Sequence, residues 1–116
     1  MDRRTIEYNI EQKKKEIKKM NDLKIELTNG INQFVEKCNN MISDITSINS
    51  VLDYSKDTMI SPDIKEKNAN IVSKITNKEN MINSKKASVT LKIDNRISSL
   101  QNEINSLNHQ LSNMEE

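Results

Sequence analysis

Length and composition restrict this 116-residue chain to one domain or one elongated element, because hydrophobic residues make up only 34% and aromatic residues 3%. One Gly and one Pro exclude most turn-rich β architectures, and a single Cys excludes an internal disulfide framework. A net charge of +1 excludes strong self-repulsion and a broad attraction for nucleic acid, which leaves disorder or long helices with one apolar stripe.

The first predicted element is a long helix over about residues 2–54. Its apolar residues are spaced alternately by three and four, and only Lys24 interrupts the run of Ile17, Met20, Leu27, Ile31, Phe34, Cys38, Met41, Ile45, Ile48 and Leu52. This heptad pattern is typical of a coiled coil and argues against disorder. Asn29 and Gly30 form a dipeptide common in turns. Because the heptad runs through them without a slip, we expect a continuous helix, with a local kink as the alternative.

A loop is predicted over about residues 55–61, where the apolar pattern stops. Ser61 and Pro62 are typical of a helix start, with Ser61 as the N-cap and Pro62 at the first helical position. We therefore expect a second helix over about residues 62–115. Its last part is a regular heptad through Ile93, Ile97, Leu100, Ile104, Leu107, Leu111 and Met114. Its first part is weaker, and two four-residue steps after Val89 predict a local relaxation of the supercoil.

Two arms of nearly equal length joined by a short loop predict an all-α fold, a long antiparallel two-helix coiled-coil hairpin in one domain. Apolar residues beside the seam widen its face toward that of a helical bundle. We expect this face to bind the helices of a partner or a second copy of the chain through Phe34, Val35, Met41, Ile42, Val72 and Ile82. The alternative is a wider hairpin core with some exposed Leu and Ile.

Catalytic and ligand-binding chemistry is not expected. His109 is the one His and Cys38 the one Cys, so a single chain offers neither a zinc cage nor a Cys–His pair. Cys38 is predicted to be a small core residue. A single Gly excludes a Gly-rich phosphate loop. We therefore expect no enzyme activity, no metal, no cofactor and no small-molecule substrate.

A cluster of lysines near the N-terminus raises the question of phosphate or anionic-lipid binding: Lys13, Lys14, Lys15, Lys18 and Lys19. Glu residues lie between them and no aromatic residues accompany them, which favours a solvated flank of the coil, without nucleic-acid binding or stable membrane insertion. No apolar segment of roughly 7–15 residues follows Arg3 and Arg4, so no signal peptide is expected. We expect a cytoplasmic protein, with export alongside a partner left open.

Three features carry a family resemblance: Cys38 in the first arm, an interhelical loop near the middle, and the coil-rich segment over residues 97–107. With them the chain resembles the ESAT-like (Trp-x-Gly) superfamily of Gram-positive bacteria, and within it the YwqH-like small partners of LXG effectors. The abundance of Lys, Asn and Ile is typical of a low-GC genome. The resemblance implies a protein that pairs with the helical N-terminal domain of an effector and supports its export by a type VII secretion system.

The chain differs from that superfamily in two motifs. It has no Trp-x-Gly, and no Tyr or Phe follows Tyr54, so the tail signal of an aromatic residue and an acid four positions later is missing. The resemblance therefore implies an adaptor whose partner supplies the export signal. Two other functions stay open. A structural coiled-coil scaffold or phage-related protein would show the same heptads, and a prefoldin-type chaperone also has two long antiparallel helices, although residues 53–61 leave no room for its β-hairpins.

Overall fold

The computed structural model describes residues 2–54 and 60–114 and contains two helices there, α1 over Arg3–Asp53 and α2 over Ile60–Met114. The described residues include no strand. This confirms the predicted all-α class and the helical hairpin. The bundle expected with a partner or a second copy stays a prediction.

Asp2 caps the start of α1. The Thr5 backbone N–H donates to Asp2 Oδ1 at 2.8 Å, and the Ile6 N–H donates to the Asp2 carbonyl oxygen at 3.1 Å. Hydrogen bonds from Thr5, the side chain first and the backbone second, hold the pKa of the Asp2 carboxyl below its ordinary value. The cap thereby satisfies N–H groups that have no acceptor within the helix.

Gly30 lies inside α1, and the helix continues through it as predicted. Its backbone has no positive φ, so no turn interrupts the chain at Asn29 and Gly30. A Cβ atom added at Gly30 would meet no atom within 4 Å. No close approach in the described residues therefore requires glycine at this position.

The start of α2 differs from the prediction, because α2 begins at Ile60 and Ser61 is not its N-cap. Ser61 is buried in the first turn, and its hydroxyl donates to the Leu52 carbonyl oxygen at 3.0 Å. That carbonyl belongs to the last turn of α1, where helical carbonyls lack partners. Pro62 is tolerated because first-turn N–H groups have no helical acceptor. Of the predicted loop, residues 55–59 lie outside the described residues.

The chain divides into two compact units, each built from one segment of α1 and one of α2. We call them the terminal half, residues 1–28 and 87–116, and the loop half, residues 29–86. In the terminal half, Lys13 pairs with Glu103 and Lys24 with Asp94. Residue numbers rise along one helix while they fall along the other, so the two segments run antiparallel.

A buried apolar core holds the terminal half together. Ile6, Ile10 and Ile104 form a cluster. Three partly buried residues pack against this cluster: Ile17, Leu107 and Leu111. Ile93 and Leu100 are also buried, and Leu100 is 0% exposed. These buried residues of α2 lie on the regular heptad predicted from the sequence.

The loop half has fewer fully buried residues. Among its described residues only Cys38 and Ser61 are buried. Asn68 Nδ2 donates to Asn49 Oδ1 at 2.8 Å, and Lys65 forms an ion pair with Asp53. These polar contacts join the two helices beside apolar residues that are half-buried.

The seam in the loop half departs from the predicted heptad of α1. Met41 and Ile48 were both predicted to lie in the seam, but they are 51% and 50% exposed. Their neighbours Ile42 and Asn49 are half-buried instead. Ahead of this change the partly buried positions step by four residues twice, through Leu27, Ile31 and Val35. Because a straight helix has 3.6 residues per turn, such a stutter moves the seam by one position relative to a strict heptad.

α2 shows the same kind of stutter, at a different place from the one predicted. The two four-residue steps run through the half-buried Ile82, Lys86 and Thr90, while Val89, the predicted seam residue, is exposed. Ile71 is likewise exposed and Val72 is half-buried. The register of the helix thus turns Thr90 rather than Val89, and Val72 rather than Ile71, toward the seam.

Candidate functional site: an apolar groove in the loop half

The loop half carries an open groove of about 230 Å³. α1 contributes Phe34, Cys38 and Met41, and α2 contributes Lys74, Ile75 and Lys78. Cys38 is buried, Phe34 and Ile75 are half-buried, and the other three side chains are exposed. The groove therefore has an apolar floor and a rim that carries two cations.

Helical spacing explains why these side chains meet. Phe34, Cys38 and Met41 are separated by four and three residues, which places them on one face of α1. The stutter turns Ile42 toward the seam, and Met41 consequently remains at the rim. Sequence patterning alone put Met41 inside the seam, so the groove could not be found without the register.

The apolar surface continues beyond the groove on both helices. Ile48 follows Met41 by seven residues and Ile71 precedes Ile75 by four, so each lies close to the groove face of its helix. Ile48 is 50% and Ile71 44% exposed. In the loop half, aligned hydrophobic side chains thus form a stripe along one face.

Four exposed hydrophobic residues of the terminal half are not aligned along their own helices. Leu23 and Ile25 are two residues apart, as are Val89 and Leu91. Two residues correspond to a rotation of about 200° around a helix, so the members of each pair point in nearly opposite directions. Single exposed side chains of this kind need no functional explanation.

The thiol of Cys38 is held in an unreactive state at the floor of the groove. Burial, and after it the negative charge of Glu79, raises the pKa of the Cys38 thiol above its ordinary value. The thiol is therefore protonated at neutral pH and a poor nucleophile. Glu79 Oε1 is itself buried and has no hydrogen-bond partner among the described residues.

The predicted partner-binding residues are only partly brought together. Phe34 and Met41 line the groove. The remaining four residues are half-buried and do not line it: Val35, Ile42, Val72 and Ile82. Val35 and Ile42 each follow a groove residue directly, so they point about 100° away from it around α1. A partner-binding role for the six residues stays a prediction.

Sequence reasoning missed five residues of this surface. Ile48 was predicted to be in the seam, and four residues of α2 were not selected as binding residues: Ile71, Lys74, Ile75 and Lys78. The available signal was the spacing of Ile71, Lys74, Ile75 and Lys78, which repeats by three or four residues. This spacing could be interpreted only once the face of α2 that packs on α1 was known. The weak heptad of residues 64–90 does not define that face.

Other kinds of site were searched for in the part of the chain that the structure describes. No group of three or more His, Cys, Asp or Glu residues there is arranged to hold a metal ion. Neither α1 nor α2, over its described residues, has a stretch long and apolar enough to cross a membrane. Comparison with protein-family models, curated proteins and solved structures gave no match. The groove of the loop half is therefore the candidate functional site.

Proposed function

We propose that this chain is a non-enzymatic helical adaptor that pairs with the helical N-terminal domain of an LXG-type effector and supports its export by a type VII secretion system. The observation that carries the proposal is the unequal burial in the two halves. The terminal half has its own core, whereas the loop half leaves Met41, Ile48 and Ile71 exposed around an open groove.

The apolar surface of the loop half is the part of the molecule that a partner would cover. Contiguous exposed apolar surface with a polar edge is typical of interaction sites. A helix laid into a groove buries its apolar stripe through anchors that repeat every three or four residues. On the hairpin face Phe34, Met41 and Ile48 repeat every seven residues, which is two helical turns and so matches the anchors of a partner helix. A helical partner therefore fits this surface better than an extended peptide does.

The family resemblance supports the identity of the partner as an effector. It rests on Cys38, the central loop and the coil-rich residues 97–107. The missing aromatic residue after Tyr54 favours a dependent role, in which the partner supplies the export signal. The sequence and the groove together support pairing, and the resemblance adds the secretion route.

Co-expression with the N-terminal domain of an LXG effector from the same host tests the proposal. We expect the two chains to elute together in size-exclusion chromatography and the melting temperature of this chain to rise. A ligand at 100 times its Kd stabilises the folded state by about 2.7 kcal/mol. An effector domain that neither co-elutes nor shifts the melting temperature would contradict the proposal.

A matched pair of variants locates the contact. Met41→Glu places a charge at the groove rim and should weaken co-elution. Ile25→Glu makes the same kind of change at an exposed hydrophobic residue of the terminal half and should leave it intact. Equal loss in both variants would show that the groove is not the contact.

A structural coiled-coil scaffold is the second candidate, and the terminal half favours it. The terminal half has a buried core and three interhelical ion pairs, which are typical of a coil that is stable without a partner. Gene neighbourhood separates the two functions, since an adjacent LXG effector gene supports the adaptor and adjacent phage structural genes support the scaffold. Filaments of the purified chain in electron micrographs would also favour the scaffold.

A further inference from the structure

We infer that the groove of the loop half binds an amphipathic helix of another protein whose apolar stripe is flanked by Asp or Glu residues. This inference rests on the proposed function in taking the partner to be helical, and goes beyond it in stating the partner's charge pattern. It is carried by two features of one face, an apolar stripe and a row of lysines beside it.

The apolar stripe has the dimensions of a short helix. Phe34, Met41 and Ile48 repeat every seven residues along α1. At about 1.5 Å per residue the stripe from Phe34 to Ile48 is roughly 21 Å long. A partner helix of two to three heptads with a Leu or Ile stripe covers that length.

The row of lysines follows the same face on α2. Lys74 and Lys78 are one helical turn apart, both are exposed, and neither forms an ion pair with an acid among the described residues. Lys67 precedes Lys74 by seven residues, Lys85 follows Lys78 by seven, and both are exposed. Of the four, Lys67 has an acidic neighbour, Asp63, at 3.2 Å on its own helix. Lys74, Lys78 and Lys85 therefore offer positive charge to an incoming helix, whereas Lys67 is paired with Asp63.

Charge also decides against a second copy of this chain as the occupant. The groove-side rim of α1 carries Lys37 and Asp44, three residues after Phe34 and Met41 respectively. A second copy would thus bring one carboxylate and one further cation to the row of lysines. Acidic residues on the flank of a separate helix that faces α2 match the row, since complementary charge steers association and like charge opposes it.

Two labelled peptides serve as probes for this inference. Both are stapled 18-residue helices with a Leu stripe, one with Glu and the other with Lys on the flanks. Fluorescence anisotropy with the full chain should give an affinity at least tenfold higher for the Glu peptide. The preference should shrink as the salt concentration rises, because salt screens exposed charges.

Charge-reversal variants test where the preference arises. In Lys74→Glu/Lys78→Glu the preference should invert, so that the Lys peptide binds more tightly. Lys15→Glu/Lys19→Glu makes the same charge change on an exposed face of the terminal half, with the same four-residue spacing, and should keep the wild-type preference. All four substituted lysines are exposed, and circular dichroism checks that each variant keeps its helical content.

Several outcomes would overturn the inference. These are equal affinity for the two peptides, no binding of either, and the same response in both double variants. Binding to phosphatidylglycerol vesicles in place of the Glu peptide would assign the row to a membrane surface. Concentration-dependent dimerisation that Met41→Glu abolishes would assign the groove to a second copy.

The effector domain separates this inference from the proposed function. If it binds Lys74→Glu/Lys78→Glu as tightly as the wild type, the acidic-helix inference fails and the adaptor function stands. If the chain prefers the Glu peptide but no effector domain binds, the adaptor function fails and the groove assignment stands.

Discussion

The terminal half and the loop half are built from the same two helices, yet they differ in how the helices are held together. Ile6, Ile10, Ile93, Leu100 and Ile104 are buried in the terminal half. The loop half buries Cys38 and Ser61 among its described residues. Apolar residues in the seam therefore do not by themselves make a core, since Ile42, Ile45 and Ile75 of the loop half remain half-buried.

Polar residues in the seam show the same difference. In the terminal half Lys13 and Lys24 reach carboxylates on α2, Glu103 at 2.8 Å and Asp94 at 2.7 Å. Arg96 adds a bidentate contact, with its Nη2 at 2.9 Å and 3.2 Å from the two carboxylate oxygens of Glu16. Compensated polar groups of this kind can fix the register of a coil while costing little stability.

The loop half combines satisfied polar contacts with one unsatisfied atom. Asn49 and Asn68 hydrogen-bond across the seam, whereas Glu79 Oε1 is buried without a partner among the described residues. A buried polar atom without a hydrogen bond lowers stability. The half with the open groove thus carries an uncompensated polar atom, as expected of a surface that a partner completes.

The largest effect should come from a pair of truncations, one in each half. Leu100→Ala removes a side chain that is 0% exposed and should lower the free energy of unfolding by about 2–5 kcal/mol. Ile48→Ala removes a half-exposed side chain of the loop half and should cost about 0.5 kcal/mol or less. Urea denaturation followed by circular dichroism measures both. Equal costs would remove the contrast between the halves.

A smaller and opposite effect is expected at the boundary of the loop half. Gly30→Ala should raise the free energy of unfolding by about 1 kcal/mol, because Gly is a poor helix former and a Cβ meets no atom here. Ala69→Gly, at an exposed interior position of α2, is the matched reverse change and should lower stability by a similar amount. Destabilisation by Gly30→Ala would show that α1 needs glycine at this position.

The smallest effect concerns pH and the Lys13–Glu103 ion pair. The hydrogen bond from Lys13, and then its charge, holds the pKa of the Glu103 carboxyl below its ordinary value. A folded-state pKa that is depressed stabilises the fold above the unfolded-state pKa, so this contribution is present at pH 7 and is lost as the pH falls through the depressed folded-state pKa. The melting temperature of Glu103→Gln should therefore lie slightly below that of the wild type at pH 7.

Acid should remove that difference, and the wild type and Glu103→Gln should melt together near pH 3. Glu36→Gln, at an exposed position of the loop half, is the control and should match the wild type at both pH values. A gap between Glu103→Gln and the wild type that persists at pH 3 would mean that the ion pair does not carry the effect.

Much of the fold could be predicted from periodicity, because heptads report directly which face of a helix is apolar. The regular run at Ile93, Leu100 and Ile104 ends up buried as predicted. Met41 and Ile48 do not, since a heptad assumes 3.5 residues per turn throughout, and a stutter is invisible wherever two adjacent residues, such as Met41 and Ile42, are both apolar.

The start of α2 and the groove could be predicted less well. Serine is a residue type that favours the N-cap position, but the Ser61 hydroxyl donates to a carbonyl oxygen nine residues earlier. That acceptor depends on how the two helices pack. Lys74 and Lys78 matter through their position beside Phe34 and Met41. Such contacts between distant residues are set by packing, which a single sequence does not record.

The contact between Ser61 and Leu52 has a consequence for how the two helices are aligned. Together with the Lys65–Asp53 ion pair it joins α1 to α2 through residues that belong to the helices themselves. Residues of the two helices themselves thus contribute to their alignment. A chain cut between residues 55 and 59 would yield two fragments that still carry these contacts.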